Sequence, residues 1–394
     1  RRLPGYIVIP ADVGLAEVEP STRGLLRAHD QTNARALARF RDAAAPLIAD
    51  ATRPAVLADI LVERFGAEPA LANLLGTGIP HATLLWGRRV VDESAATFVG
   101  TYVGAASREV VRATVEDADA LVQIGTQFTD LTSGFFSQHL PESGTIVIDG
   151  TTSSIGGVTY GPIAMTNAID VITELVAART ARMPAPPSER PPAFPAPAPN
   201  DALRQDSLWA TVSAWLRPGD LVMADQGTSF YGMGAHRLPA DTLFMGQPLW
   251  ASIGYTLPGI LGAALAAPVR RPVLLIGDGA AQLTIGELGT LARRHVPAVV
   301  VIVDNSGYTV ERAIHGPDAD YNDIAAWDWV GLATALGATR SVRVDTVDGL
   351  REALEIARAN PHGLHVVTAS VPRDDVPPLL EAIAEAAARA NSRA

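Results

Sequence analysis

Two apolar runs in the C-terminal half of the chain, separated by a helical pattern, are the clearest structural signal in the sequence. Val273 to Ile276 is the first run and Ala298 to Val303 the second, and both are rich in β-branched residues. Between them, Leu283, Leu288 and Leu291 recur at the spacing of one helix face. Two strands joined by a crossover helix predict a βαβ unit, in which the parallel strands end at the same edge of one sheet.

Similar patterns recur earlier in the chain and predict a second unit of the same kind. Leu221 to Ala224 reads as the first strand of the C-terminal unit. The candidates of the earlier unit are strands at Ala55 to Ile60, Ala120 to Ile124 and Thr145 to Asp149, and helices at Ala34 to Ala45 and Asp170 to Ala178. The predicted fold class is therefore α/β, with two doubly wound parallel-sheet domains at residues 21–182 and 201–394.

The segments outside these two domains differ from them in pattern. Residues 183–200 are nearly half proline, so they predict an extended, semi-rigid linker, with an SH3-type ligand as the weaker alternative. Residues 1–20 contain PGYIVIPADV, a short apolar segment typical of a strand, with no candidate partner strand before it. A lone strand cannot bury both of its faces. One interpretation is that Tyr6 to Ile9 adds to an edge of the next domain.

Composition narrows the function classes. A length of 394 residues allows two or three domains. The net charge of -11 and the pI of about 5.2 argue against a nucleic-acid-binding footprint. The absence of Cys excludes disulfides, thiolate metal sites and Cys nucleophiles. No signal peptide and no apolar run of membrane-spanning length is found, so the cytoplasm is the expected location.

Polar residues follow both strands of the C-terminal βαβ unit. Asp278 follows the first strand and Asn305 the second, and the edge where parallel strands end is where such sheets bind ligands. A carboxylate and an amide oxygen are hard ligands suited to Mg²⁺, which shares its shell with substrate phosphates. Gly277 and Gly279 let the backbone approach a ligand, and the following helix offers free N–H groups to an anion. Together they predict a metal-bridged diphosphate site.

The motif GDG, followed about two dozen residues later by Asn-x-Gly and the stretch GYTVERAIHGPDADYNDIAAWDW, resembles the cofactor motif of the thiamine-diphosphate-dependent 2-keto acid decarboxylases. The resemblance implies that Asp278, Asn305 and the backbone carbonyl of Gly307 bind Mg²⁺, with Gly279 and Ala280 beside the cofactor. The usual motif has two successive Asn, and this chain has Asp304 at the first position. A plain βαβ turn with a chance GDG is the alternative.

Two earlier segments extend the resemblance. Gly227 and Thr228 match a turn that contacts the diphosphate in the family, although an ordinary strand-to-helix turn has the same composition. Ala251 replaces a Gly whose backbone carbonyl binds the cofactor's amino group. Ile253 matches the residue that wedges the cofactor into its bent form, where core packing is the alternative. A backbone contact at Ala251 requires that Ala tolerate the local dihedral angles.

Glu311 is the side chain expected to perform proton chemistry. The resemblance places it beside the reacting carbon, where it supports decarboxylation or product protonation. An apolar pocket would raise the pKa of its carboxyl group, as suits a proton donor near neutral pH. The alternative is a solvated Glu311 paired with Arg312.

Four residues are candidates for the substrate pocket. Val310 stands where the pyruvate-specific relatives have the larger Ile, and one methylene shifts preference by only about 1 to 3 kcal/mol. Ile383 and Ala387 lie one turn apart on a closing helix that resembles the lid of indolepyruvate and phenylpyruvate decarboxylases, or that is a surface helix. Small Ala387 leaves room for an aromatic substrate, whereas bulky Phe230 could narrow the same pocket.

The resemblance implies non-oxidative decarboxylation of an arylpyruvate or a branched-chain 2-keto acid to an aldehyde, with thiamine diphosphate and Mg²⁺. It also implies a homodimer or homotetramer, because the family forms its sites between two subunits. The resemblance further implies that residues 1–20 are the last strand of the N-terminal pyrimidine-binding domain and the linker out of it, and that the rest of that domain, with its activating Glu and His pair, is missing from these residues. The alternatives are a pyruvate decarboxylase, an acetolactate-synthase-like carboligase and a non-catalytic cofactor-binding or regulatory fragment. An NAD-type Rossmann protein is disfavoured because GxGxxG is absent.

Overall fold

The computed structural model describes residues 5–19, 31–179 and 200–392, so the predicted linker falls almost wholly outside the described residues. In these ranges the strands are β1 (Pro54–Ala58), β2 (His81–Thr83), β3 (Phe98–Thr101), β4 (Ala120–Ile124), β5 (Thr145–Ile148), β6 (Ser153–Ile155), β7 (Val158–Tyr160), β8 (Leu221–Ala224), β9 (Leu243–Met245), β10 (Pro272–Gly277), β11 (Val299–Asp304), β12 (Arg340–Val344) and β13 (His365–Ser370).

The helices in the same ranges are α1 (Ala11–Gly14), α2 (Ala34–Asp50), α3 (Leu61–Arg64), α4 (Glu68–Leu75), α5 (Glu109–Glu116), α6 (Met165–Ala177), α7 (Gln205–Trp215), α8 (Thr228–Gly234), α9 (Thr256–Ala266), α10 (Asp278–Thr284), α11 (Glu287–Arg293), α12 (Thr309–His315), α13 (Trp329–Ala335), α14 (Val347–Ala359) and α15 (Pro378–Asn391). Short 3₁₀ turns lie at Arg88–Val90 and Asp320–Asn322. None of the described helices is both long enough and apolar enough to cross a bilayer.

The middle domain is built on a sheet whose strand order within the described residues is β3-β2-β1-β4-β5-β6-β7. The pairs from β3 through β5 are parallel, and β6 and β7 continue the sheet antiparallel. Its central strands β1 and β4 are buried throughout. Alternate residues of β1 enter two different hydrophobic clusters, so helices cover both faces of the sheet. The predicted α/β class is confirmed, with an antiparallel edge that the sequence interpretation did not include.

The C-terminal domain has the strand order β12-β13-β11-β10-β8-β9 among the described residues, and all neighbouring pairs are parallel. The βαβ prediction is confirmed, because β10 and β11 pair directly from Val273 with Val299 onward. The crossover is two short helices, α10 and α11, where one was expected. Leu288 and Leu291 of α11 are buried, but Leu283 near the end of α10 is 58% exposed.

The apolar segment at the beginning of the described chain forms no strand. Residues 5–10 are extended but unpaired, and Tyr6 and Ile9 are 92% and 62% exposed. The interpretation that Tyr6 to Ile9 adds to an edge of the next domain is therefore wrong. Apolar side chains in this run have no core to enter within the described residues, so hydrophobic pattern alone did not place them.

A buried ion pair joins the two domains. Arg88 and Glu93 of the middle domain are almost fully buried and form two hydrogen bonds of 2.7 Å. The same guanidinium donates to the carbonyl oxygens of Met233 (2.7 Å) and His236 (2.6 Å) in the C-terminal domain. A buried guanidinium with all these acceptors requires a fixed geometry, so it sets how α8 sits against the middle domain.

Candidate active site

A cavity of about 160 Å³ opens at the edge where β8, β10 and β11 end. Every residue that the sequence analysis assigned to the cofactor lines it. The lining consists of Gln226, Gly227, Thr228, Ala251, Ile253, Gly277, Asp278, Gly279, Ala280, Asn305, Gly307, Tyr308, Thr309, Val310 and Glu311. The three strand ends lie side by side because β10 stands between β8 and β11 in the sheet.

Asp278 lies at the centre of this cavity wall, directly after β10. Its side chain is buried, and Oδ1 accepts a hydrogen bond from Gly279 N (2.7 Å). Oδ2 accepts from Asn305 N (3.1 Å) and Gly307 N (3.2 Å), which ties the end of β10 to the loop after β11. Burial raises the pKa of Asp278 to about 6, and the nearby Asp304 carboxylate also raises it. A cation beside this carboxylate would favour its charged form.

The amide of Asn305 completes a set of oxygen ligands. With its nitrogen turned inward, it would donate to Gly307 O (2.9 Å) and to Asp278 Oδ1 (3.3 Å), and its oxygen would accept from Thr309 Oγ1 (3.0 Å). With its oxygen turned inward, three oxygens converge with no proton between them. A cation would stabilise that arrangement, and a carboxylate, an amide oxygen and a carbonyl are ligands that Mg²⁺ accepts. The residues present therefore fit a magnesium ion.

The loop that carries Gly307 tolerates no side chain there. Gly307 has φ = 132°, a region that L-residues rarely adopt, and a Cβ at this position would overlap Asn322 O. Ser306 before it also has a positive φ of 60°. A Cβ on Gly279 would overlap the ring of Tyr308. Close contacts with Asn322 and Tyr308 thus fix the backbone of the loop.

Two glycines of the cavity lining have open space beside their backbones. Gly227 has φ = 129° and opens α8, and Gly277 ends β10. No heavy atom lies within 4 Å of where a Cβ would stand on either residue. Because both line the cavity, a ligand group can approach their backbones directly. This space, next to the oxygen ligands, suits the diphosphate that the sequence analysis expects.

Ala251 occupies a left-handed backbone conformation that favours Gly. Its φ is 55°, so the Cβ stands in the left-handed region at a cost of about 1–2 kcal/mol. Gly254 follows with φ = 79°, and its carbonyl accepts from Thr284 Oγ1 (2.6 Å). Ala251 therefore adopts the left-handed dihedral angles of this loop, although it carries a Cβ.

Replacing Ala251 with Gly is expected to stabilise the protein by about 0.5–1 kcal/mol, because the relief of strain outweighs the added entropy of the unfolded chain. Urea unfolding checks this. Ala263 of α9 has an ordinary helical backbone, so Ala263→Gly serves as the control and should destabilise by about 1 kcal/mol. A loss of stability in both variants would contradict the strain at Ala251.

Asp225 was not identified as important from the sequence. It follows β8, is fully buried, and Oδ2 accepts from Gly254 N (3.0 Å) and Thr256 Oγ1 (2.5 Å). It therefore connects the end of β8 to the loop that carries Ala251. Its Oδ1 has no hydrogen-bond partner among the described residues. Burial raises the pKa of Asp225 to about 6 despite these donors. An acidic residue at a strand end was the only available signal.

The raised pKa of Asp225 predicts a pH effect on stability. Because the folded-state pKa lies above the ordinary value of 3.8, the folded protein holds this proton more firmly than the unfolded chain does. Asp225 therefore costs stability above about pH 6, and the cost disappears as the pH falls below about 4. Between pH 4 and 7, wild-type protein should lose about 1 kcal/mol or more of unfolding free energy relative to Asp225→Asn. Urea unfolding of both proteins without cofactor measures this difference in unfolding free energy. The prediction is contradicted if the two free energies change in parallel with pH.

Glu311 lies at the cavity but not in an apolar pocket. Its side chain is 46% exposed, and Oε2 is 3.5 Å from His315 Nε2, one helical turn further along α12. The expected burial is therefore wrong for these residues. The alternative pairing with Arg312 is also wrong, because Arg312 turns inward and is buried. A carboxylate open to the cavity and to an imidazole can still exchange protons with a bound ligand.

The four substrate-pocket candidates separate into two groups. Val310 lines the cavity. Phe230, Ile383 and Ala387 are buried at 1%, 0% and 2% exposure and are not among the lining residues. Phe230 packs on Tyr231 and Phe244, and it shares a hydrophobic cluster with Ile383. In this structure Phe230 therefore does not narrow the cavity, and the contribution of α15 to a substrate pocket stays a prediction.

Comparisons with known proteins identify the enzyme families that this chain resembles. Residues 41–175 match the family described as thiamine pyrophosphate enzyme, central domain, and residues 227–369 match the C-terminal TPP binding domain of the same enzymes. The alpha-keto-acid decarboxylase of Mycolicibacterium paratuberculosis is 47% identical over 96% of this chain and 68% of its own length. That of Mycobacterium leprae is 46% identical over 98% of this chain and 69% of its own.

A solved structure shares the fold. It is that of a Mycobacterium smegmatis protein assigned as a thiamin diphosphate-dependent enzyme, with a TM-score of 0.68 over 90% of this chain and 67% of that one. Its sequence is 22% identical, so this likeness supports the architecture of the two sheets.

Proposed function

The chain belongs to the thiamine-diphosphate-dependent alpha-keto-acid decarboxylase family, and we propose that it converts an arylpyruvate or a branched-chain 2-keto acid to an aldehyde and CO₂. The observation that carries the proposal is the convergence of Asp278, Asn305 and the Gly307 carbonyl on one point of a cavity with glycine-lined open space beside it. This arrangement suits a divalent cation that bridges the protein to a diphosphate.

Each part of the cavity would have its own task. Asp278, Asn305 and Gly307 O would hold Mg²⁺, and the open backbones of Gly227 and Gly277 would receive the diphosphate. When bound, thiamine diphosphate supplies the nucleophilic carbon and accepts the electrons that CO₂ leaves behind. The backbone at Ala251 and the side chain of Ile253 would orient the cofactor from the loop between β9 and α9. The contribution of this chain is therefore anchorage and orientation, with one group for proton transfer.

Glu311 is the group in position to move a proton. It lines the same cavity as Asp278, and its carboxylate stands beside His315 at the open side. The proton delivered to the product would come from its carboxyl oxygen, and exchange with His315 or water would restore it. The half-exposed position makes that restoration simple, whereas a sealed pocket would have required a relay.

Glu311→Gln should lower kcat for decarboxylation by about a hundredfold and leave cofactor affinity nearly unchanged, because the amide cannot donate an acidic proton. The measurement is aldehyde release under saturating cofactor, next to a cofactor titration. His315→Gln is the matched control and should have a smaller effect. Full activity of Glu311→Gln would remove Glu311 from the mechanism.

The substrate preference is argued from the space near Glu311. Val310 is smaller than the Ile of pyruvate-specific relatives, and Phe230 is turned into the core, away from the cavity. Both features favour a substrate with a larger side chain than pyruvate has. The difference at Val310 is expected to contribute about 1 kcal/mol, so the preference should be graded and not absolute.

A second subunit is the proposed partner. Trp250 and Leu283 are 81% and 58% exposed; Trp250 precedes the cavity residue Ala251, and Leu283 packs beside Gly254 of the same loop. Exposed apolar side chains next to a site mark a surface that another protein surface covers. The chain spans 68% of the length of its relatives, so the covering surface can include segments outside these residues. We therefore propose a homo-oligomer whose sites lie at subunit contacts.

The test is CO₂ release by the purified protein with thiamine diphosphate and Mg²⁺, offered pyruvate, phenylpyruvate, indolepyruvate and 2-ketoisovalerate separately. The proposal expects turnover of the arylpyruvates or 2-ketoisovalerate above that of pyruvate. Turnover of pyruvate alone would overturn the substrate class. Saturable cofactor binding without any turnover would overturn decarboxylation by these residues alone and favour a cofactor-binding part that needs further segments.

A further inference from the structure

Arg312 is a buried arginine beside the candidate cation site, and it has no role in the proposed decarboxylation. It lies in α12 next to Glu311 and is 4% exposed. Its guanidinium turns away from the cavity and meets mostly backbone oxygens. The contacts are from Nη1 to Asn305 O, Thr309 Oγ1 and Arg373 O, all 3.3 Å, and from Nη2 to Ser306 O (2.7 Å), Asn322 O (3.2 Å) and Asp323 Oδ1 (2.7 Å).

Apart from Thr309 Oγ1, which belongs to α12 itself, these acceptors lie in three separate segments of the chain. The first is the loop 305–307, which carries two of the three candidate cation ligands. The second is the turn at residues 320–323, and the third is the segment after β13 around Arg373. Backbone oxygens brought this close together repel one another unless donors separate them. The single guanidinium supplies those donors in a planar fork, which a point charge such as Lys does not.

The contact extends to the ligand-bearing residue itself. A Cβ on Gly307 would stand 2.7 Å from Arg312 Nη2, so the guanidinium packs directly on the Gly307 backbone. Tyr308 N also donates to Asn322 O (2.9 Å), which fixes the same turn from the other side. The side of the loop away from the cavity is therefore held rigidly, and the cavity side is left to the ligands.

We propose that Arg312 is the positioning residue of the cation site, holding the loop 305–307 so that Asn305 and the Gly307 carbonyl face Asp278 before the cation arrives. This inference rests on the proposed function for the identity of the cation's partner, thiamine diphosphate. When the loop is already ordered, cation binding does not include the free-energy cost of ordering the ligands. The loss of Arg312 should therefore weaken cation binding.

Arg373 provides a matched control. Its side chain pairs with the other oxygen of the same carboxylate, Asp323 Oδ2 (2.9 Å), and is 42% exposed. The side chain contacts no carbonyl of the loop 305–307 in the described structure. Arg373→Gln therefore removes one of the two arginine charges at Asp323 but keeps the hydrogen bonds from Arg312 to the loop 305–307.

The experiment is a Mn²⁺ titration, followed by the electron paramagnetic resonance of free Mn²⁺, with saturating thiamine diphosphate. The same samples without ligand are examined by hydrogen exchange of the amides at residues 305–307. Arg312→Lys, which keeps the charge and most of the stem, should weaken Mn²⁺ binding by about tenfold or more and speed exchange in the loop. Arg373→Gln should change Mn²⁺ affinity by less than about twofold. Arg312→Gln should weaken Mn²⁺ binding and speed loop exchange more than Arg312→Lys does.

The outcomes separate the two hypotheses. Wild-type Mn²⁺ affinity and wild-type loop exchange in Arg312→Lys would overturn the positioning role and leave the proposed function standing. Equal weakening in Arg312→Lys and Arg373→Gln would also overturn it, because general charge would then explain both. Absence of Mn²⁺ binding by the wild-type protein would overturn the proposed function and the cation role of Arg312 together. In that case the hydrogen exchange still reports whether Arg312 orders the loop 305–307.

Discussion

Asp278→Ala is expected to abolish saturable binding of thiamine diphosphate in the presence of Mg²⁺, with a loss of affinity greater than about a hundredfold. Substitutions in the second shell of metal sites cost about 10- to 100-fold, and Asp278 would be the single charged ligand among the converging groups. Its carboxylate also accepts from Asn305 N and Gly307 N, so its removal releases the loop that carries the other ligands. Isothermal titration of the cofactor with and without Mg²⁺ measures the effect.

The control for this variant is Asp304→Asn. Asp304 is a carboxylate close by, at the end of β11, but it pairs with Arg343 (2.6 Å) and does not line the cavity. The change also restores the Asn that the family uses at this position. Its cofactor affinity should stay within about threefold of wild type, because Asp304 does not line the cavity and its charge is paired with Arg343. Thermal unfolding of both variants separates lost binding from lost folding, and tight Mg²⁺-dependent binding by Asp278→Ala would contradict the assigned site.

Gly307→Ala should lower the free energy of unfolding by about 3 kcal/mol or more and should also eliminate cation binding. The new Cβ would need a backbone angle near 132° and would overlap Asn322 O, which is backbone and cannot simply rotate away. The loop would have to open, which breaks the hydrogen bond from Tyr308 N to Asn322 O and displaces a candidate ligand. Urea unfolding and the cofactor titration together measure both parts.

Gly262→Ala is the corresponding control. Gly262 lies within α9, no heavy atom lies within 4 Å of where its Cβ would stand, and it is not among the positive-φ glycines. Alanine there should therefore raise the unfolding free energy by about 0.5–1 kcal/mol. If Gly307→Ala behaved like Gly262→Ala, the steric account of the loop would be wrong.

The sheet edge was predictable from sequence because its determinants are local. Continuous apolar runs at β8, β10 and β11 identify buried parallel strands, and chain order then forces their ends to one side. Asp278 and Asn305 come directly after β10 and β11, and Gly227 comes three residues after β8, so their meeting follows from topology. Strand bounds agreed within a residue or two for the same reason.

The antiparallel hairpin of the middle domain was missed although the sequence contained its signal. β6 and β7 have three residues each, too short for a periodic pattern to stand out. They are joined by Gly156 and Gly157, whose φ values of 55° and 80° suit the two-residue turn that favours such hairpins. A pair of glycines between β-branched residues was therefore the usable evidence.

Other features of the site depend on contacts that no local pattern encodes. Arg312 takes its partners from three segments that meet only in the folded chain, and Asp225 reaches across to Gly254 and Thr256. Burial of these two side chains follows from packing, which the sequence does not describe. The opposite error occurred at Glu311, where a motif suggested an enclosed carboxyl group and the helix instead turns it toward His315. Local spacing places a residue on an element, but tertiary packing decides its environment.

The most direct test of the central claim is a titration of the wild-type protein with thiamine diphosphate, once with Mg²⁺ and once with the cation removed by a chelator. The claim is that the cavity at the ends of β8, β10 and β11 binds a diphosphate through a cation held by Asp278, Asn305 and Gly307 O. It predicts saturable binding with Mg²⁺ that is lost in the chelator. No binding under either condition, or equal binding under both, would contradict it.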